Sequence, residues 1–179
     1  MSAEGSPDRT VVTEAMRAAI GRELGRTVSY PISASDIRKW AVAVYYPDEP
    51  PRLFWDEAYA AATVHGGIVA PEEFNPFGWM AVEPRGLPPS GDSRNDPDRT
   101  EKTLGIEGPG LKFQLNGGMD VEYGVRMRPG DQITSVTRLA GYREREGRLG
   151  LMLFTSSESV WTNQEGAMVK RSTGTVIRY

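Results

Sequence analysis

From residue 112 to the carboxy terminus apolar residues recur at alternate positions, and this periodicity constrains the fold more than any other feature of the chain. In MDVEYGVRM, positions 119, 121, 123, 125 and 127 are apolar while 120, 122 and 126 are charged. A period of two is that of a strand with one face buried. PGD at 129–131 is a turn signal. QITSVTRLAGYRE, GLMLFTSSESVWTN and AMVKRSTGTVIRY are rich in β-branched and aromatic residues, and REGRLG and NQEG supply hairpin turns between them. The last third of the chain is therefore expected to be an antiparallel meander.

Such a sheet must cover its apolar face, and the helices that do so come earlier. Residues 13–24 set Met16, Ala19, Ile20 and Leu24 at helical spacing behind a Thr13 cap, and GRTVSYPIS follows as a short strand. SASDIRKWAVAVYY carries the strongest helix pattern: Ile37, Trp40, Ala41 and Val44 share one face, with Ser33 and Asp36 at capping-box spacing. Pro47, Pro50 and Pro51 end it, because proline lacks a donor and restricts its predecessor. RLFWDEAYAAATVHGG reads as irregular with one short helix.

In HGGIVAPEEFNPFGWM, Pro71 suits a first helical position and Glu72 and Glu73 suit the first turn. The aromatic segment near 71–80 is the apolar element left to lie across the sheet. The expected fold class is α+β, as one domain over residues 1–179. A proline- and glycine-rich excursion near 84–110 is of a length that is usually functional or mobile.

Composition narrows the function. There is no cysteine, which excludes disulfides, thiolate nucleophiles and cysteine-held metals. With 21 basic and 24 acidic residues interspersed and a net charge of -3, the chain has no electrostatic footprint for nucleic acid. No window approaches the ~20 apolar residues of a membrane span, and MSAEGSPDRT is neither basic nor apolar. A soluble, cytoplasmic protein is expected, with no metal cluster and no dinucleotide or phosphate-cradling fingerprint.

GGIVAPEEF, LNGGMDVEY, RPGD and GLMLFTSSESVWTNQEGAMV, in that order, resemble the MaoC-like dehydratase and enoyl-CoA hydratase group, in its amino-terminal-type half. The resemblance runs from about Ile20 to Tyr179, apart from the 84–110 excursion. It implies a single hot-dog fold, an antiparallel sheet wrapped around a central helix, here near 71–80. It also implies reversible addition of water across an enoyl thioester, with coenzyme A thioester as substrate and no cofactor. Active members resemble one another in a loop of the form Asp-x-Asn-Pro-(Leu/Ile)-His-x-Asp, whose aspartate and histidine hold one water between them. A backbone amide opening the central helix polarises the thioester carbonyl.

Against that loop this chain reads Asp48-Glu49-Pro50-Pro51-Arg52-Leu53-Phe54-Trp55-Asp56. The histidine position falls on Phe54 or Leu53, depending on the end counted from, and neither moves a proton. The resemblance thus implies the non-catalytic, substrate-shaping half of a double hot dog, with the catalytic pair on a MaoC-like partner chain. The acyl groups it admits are expected to include bulky ones, such as those derived from steroid side chains. The expected substrate wall is Phe54, Trp55, Gly67, Phe74, Asn75, Phe77, Gly78 and Trp79.

Two alternatives stand beside this one. A self-sufficient homodimer would use Asp48 and His65, the chain's one histidine, as an unorthodox pair. A non-enzymatic protein would bind acyl thioesters or other apolar ligands without turnover. Arg52, Lys112, Arg126 and Arg128 are candidates for coenzyme A phosphates, and Gly117 and Gly118 for a bend or a close backbone approach.

Overall fold

The computed structural model describes residues 10–78, 80, 96–148 and 150–179. Element order is α1 (Glu14–Ala18), β1 (Glu23–Val28), α2 (Ala34–Tyr45), a 3-10 turn (Arg52–Phe54), α3 (Glu57–Ala61), α4 (Arg99–Thr103), β2 (Gln114–Tyr123), β3 (Thr134–Gly147), β4 (Gly150–Thr162) and β5 (Met168–Arg178). The five strands form one antiparallel sheet ordered β1-β3-β4-β5-β2, the α+β hot-dog arrangement. The two hairpin signals join β3 to β4 and β4 to β5, and Gly130 takes φ +91 in the PGD turn. No helix among the described residues is long and apolar enough to cross a membrane.

α2 forms where the pattern places it. Ser33 caps it by accepting from the Asp36 amide at 3.0 Å, and Ile37 and Ala41 are fully buried. Val44 shares their helical face by spacing yet is exposed, because the core ends one turn earlier. Ser33→Ala is expected to lower stability by about 1 kcal/mol, read from the midpoint of urea unfolding. α1 starts at the expected Thr13 cap but stops after five residues. Gly21, at φ +87, turns the chain into β1, which takes Leu24 out of the helix.

The helix expected near 71–80 is not formed. Residues 71–78 make two successive turns, closed by Phe74 N–H to Pro71 O and Gly78 N–H to Asn75 O. The Asn75 side chain accepts from the Phe77 amide at 3.0 Å and so diverts the backbone from a helical ladder, while Pro76 has no amide to donate. The segment still covers the sheet. Ile68, Val69, Ala70 and Phe74 are buried with Ile37 and Ala41 of α2, against Met127, Ile133 and Val169. Trp40 meets Phe74 edge-on at 5.6 Å, and Phe77 meets Trp161 of β4 at 5.0 Å.

The excursion expected near 84–110 contains a short helix, α4. Residues 81–95 lie outside the described residues, but α4 follows, with Glu101 and Leu104 buried against the other end of the sheet. The alternating segment 119–127 also departs from expectation. Its strand ends at Tyr123, and it is exposed on both faces, with Met119 65% accessible, because β2 lies at the sheet edge. Gly117 and Gly118 mark a bulge. The register shifts between Asn116 and Met119, Gly118 has φ +106, and a Cβ at Gly117 would stand 3.0 Å from Thr175 O.

Candidate functional site

The segment Asp48–Asp56 is committed to structure. Asp48 is exposed in the turn after α2. Phe54 is buried and tilts against Tyr45 at 6.1 Å, and Leu53 packs on the same cluster. Trp55 donates its indole N–H to Pro50 O at 3.0 Å, with Arg38 over its ring. Asp56, the one residue matching the closing aspartate of the family loop, caps α3. It accepts from the Tyr59 amide at 3.0 Å and from Arg52 at 2.6 Å. The Tyr59 amide first, and then Arg52, hold its carboxyl below the usual range. Such a carboxylate is spent on the fold.

His65 sits in the loop after α3. Its backbone N–H donates to Thr63 Oγ1 and its carbonyl accepts from Arg128 at 2.7 Å. No hydrogen bond or ion pair links its ring to Asp48 among the described residues.

Of the expected substrate wall, Phe54 and Phe74 are core, and Asn75 serves its own turn. Phe77 covers Trp161, Gly67 lies beside Arg128, and Gly78 is exposed. Trp55 lines a shallow cavity of about 230 Å³ with Arg38 and Phe54, whereas Trp79 lies outside the described residues. Three of the four candidate phosphate cations already have partners. Arg52 is paired with Asp56, Arg126 with Glu72 at 2.7 Å and Arg128 with the His65 carbonyl, while Lys112 is exposed before β2.

A larger cleft, of about 490 Å³, opens elsewhere, between α4 and the sheet beside the β2 edge. One of its walls is built by a buried ion pair. Arg178 of β5, 1% accessible, donates to both Glu101 oxygens at 2.8 Å, to Thr155 Oγ1 at 2.6 Å and to Pro97 O at 2.6 Å. Tyr142 donates to Glu101 at 2.7 Å. Burial alone would raise the Glu101 pKa, but Arg178 and Tyr142 together outweigh it and hold the carboxyl below its ordinary value. Burial, and then the bond to Glu101, push the Tyr142 phenol upward.

Sequence reasoning missed this wall. Glu101 stands in DPDRTEK, which has the composition of a solvated loop, and Arg178 shares its strand face with Gly174 and the exposed Val176, so alternation does not mark it as buried. Among the described residues no group of three or more His, Asp or Glu side chains is placed to hold a metal ion.

The model of the FAS1-like dehydratase domain region matches residues 18–172. The chain belongs to that family. Its hot-dog fold recurs in solved structures at low identity. A MaoC-like dehydratase from Rhodospirillum rubrum is 21% identical over 90% of this chain and 92% of its own, with a TM-score of 0.53. The ChsH1-ChsH2 complex from Mycobacterium tuberculosis matches at 19% identity over 88% and 84%, with a TM-score of 0.60. The HadBC (3R-hydroxyacyl-ACP dehydratase) complex, also from Mycobacterium tuberculosis, matches at 14% over 88% and 96%, with a TM-score of 0.53. None of the curated proteins compared with the chain matches it. This FAS1-like dehydratase-region chain thus stands among hot-dog dehydratases and hydratases, some of them heteromeric complexes.

Proposed function

We propose that this chain is the substrate-shaping, catalytically silent subunit of a cytoplasmic 2-enoyl-CoA hydratase, whose aspartate and histidine come from a partner hot-dog chain. The observation that carries this reading is the committed Asp48–Asp56 loop. The histidine position is held by Phe54 or Leu53, neither of which moves a proton, and the closing aspartate is a helix cap. A second feature agrees: residues 71–77 form turns, so no α-helix begins there to aim an amide and its dipole at a thioester carbonyl.

A partner is supported by β2. Among the described residues no strand pairs with its outer edge, and Phe113, Leu115, Met119, Val121 and Val125 on or beside it are exposed. A long apolar edge of this kind invites pairing with another strand. A hot-dog chain seated there would continue the sheet and set its own catalytic loop beside this subunit.

The test is co-expression with a hot-dog chain, encoded beside this one, that carries an intact Asp/His loop. A one-to-one complex is expected to hydrate 2-enoyl-CoA, with Asp48→Asn and His65→Ala here changing the rate less than about twofold. Loss of the partner's histidine should cost the roughly 10²–10⁴-fold of a missing acid–base group. The same loss on His65→Ala in this chain would contradict the proposal and favour the self-sufficient homodimer.

A further inference from the structure

The cleft beside β2 has the wrong lining for an alkyl chain. Thr155 and Ser157 form its floor, Gln114 and Asn116 its edge, and Arg99 and Thr100 its α4 side, while its apolar residues are Pro97, Leu115 and Val176. Among the described residues, the side chains of Arg99, Thr100, Gln114 and Ser157 make no hydrogen bond or ion pair. Arg178, which also lines the cleft, keeps a buried Nε–H without an acceptor. The hydroxyl surface continues along the inner face of β4 to Ser159, which bonds Ser135 at 3.2 Å and Thr137 at 3.0 Å. An alkyl group in this space would meet Pro97, Leu115 and Val176 but would strip water from several polar groups without replacing their hydrogen bonds. Each such group left unpaired costs about 1–3 kcal/mol.

Charge argues against an anion. Arg178 is already matched by Glu101 at 2.8 Å and faces Asp98 at 3.6 Å, and Lys102 is matched by Asp96 at 2.6 Å. A carboxylate or phosphate entering the cleft would meet Asp96 in its lining and, in Arg178, a cation already neutralised by Glu101, while Arg99 is exposed at the rim. The chemistry that fits is neutral oxygen, able to accept from Gln114 and to exchange hydrogen bonds with Ser157 and Thr100.

We propose that this cleft receives an acyl group bearing neutral oxygen functions, hydroxyl or keto, in preference to a plain alkyl chain. The inference rests on the substrate-shaping reading and names the class of acyl group that is shaped. It is tested by calorimetric titration of the purified full chain with octanoyl-CoA, 6-hydroxyoctanoyl-CoA, 8-hydroxyoctanoyl-CoA and pantetheine. At least one hydroxylated ester is expected to bind about fivefold or more tighter than octanoyl-CoA, the worth of one good hydrogen bond. The pair Ser157→Ala and Gln114→Leu should bring that ratio within twofold while the thermal midpoint stays near that of the parent.

Octanoyl-CoA binding as tightly as both hydroxylated esters, or no binding of any ester, overturns the proposal. Pantetheine competing as strongly as the esters also overturns it, because the cleft would then hold the carrier arm. Failures of the two readings are separable. Turnover by the chain alone would remove the silent subunit and leave the preference intact, whereas equal affinities in a silent chain would remove the preference alone.

Discussion

Arg178→Ala is expected to destabilise the domain by about 3–5 kcal/mol, seen as a large fall in the urea midpoint, because it strands a fully buried carboxylate. Arg178 joins β5 to α4 through Glu101, to β4 through Thr155 and to the chain before α4 through the Pro97 carbonyl. Removing it leaves Glu101 with Tyr142 as its remaining side-chain partner. The cost is that of an uncompensated charge, so the double variant Arg178→Met with Glu101→Met should recover most of the loss. A double variant as unstable as the single one would mean that geometry, and not charge balance, is what the pair supplies.

Acid should act through the same pair. The folded-state pKa of Glu101 is depressed, so its contribution is fully present above the unfolded glutamate value of about 4.3 and is lost as pH falls through the lower folded value. Urea midpoints measured from neutral pH downward should fall more steeply for the parent than for Glu101→Gln in that acidic window. Equal slopes would contradict the assignment.

Two lysines on the β2 edge, Met119→Lys with Val121→Lys, are expected to weaken association with the partner chain by about 100-fold or more. Both residues are exposed in the single chain, so the variant should fold with a thermal midpoint close to the parent's. In a sheet continued across this edge, the two ammonium groups would be partly desolvated, and about 3 kcal/mol of lost binding is 100-fold in dissociation constant. Sedimentation of the mixed chains over a range of concentrations measures it. An unchanged constant would move the interface elsewhere.

The sequence reveals those parts of the molecule that short-range physics decides. α2 is legible because its cap and its apolar face agree, and the β3–β4–β5 meander is legible because turns and alternation agree. The segment 71–80 misleads, since its proline and acidic start satisfy the first turn of a helix while Asn75 and Pro76 then close a turn. Residues 119–127 carry the pattern of a half-buried strand, but the pattern cannot say whether the covering partner is in the same chain.

That the Asp48–Asp56 loop lacks the family histidine is readable from the sequence. That Asp56 is a helix cap is not, because the same residue type serves either role and only the position of the Tyr59 amide decides. The Arg178–Glu101 wall is the least legible part. Its two members lie 77 residues apart, and nothing local to either marks a partner.

The central claim, that this subunit shapes a substrate it does not transform, is tested most directly by hydration of a short and a bulky 2-enoyl-CoA by the chain purified alone. The account predicts no turnover by folded protein, with activity appearing when the partner chain is added. Robust turnover by the chain alone, abolished by His65→Ala, would contradict it.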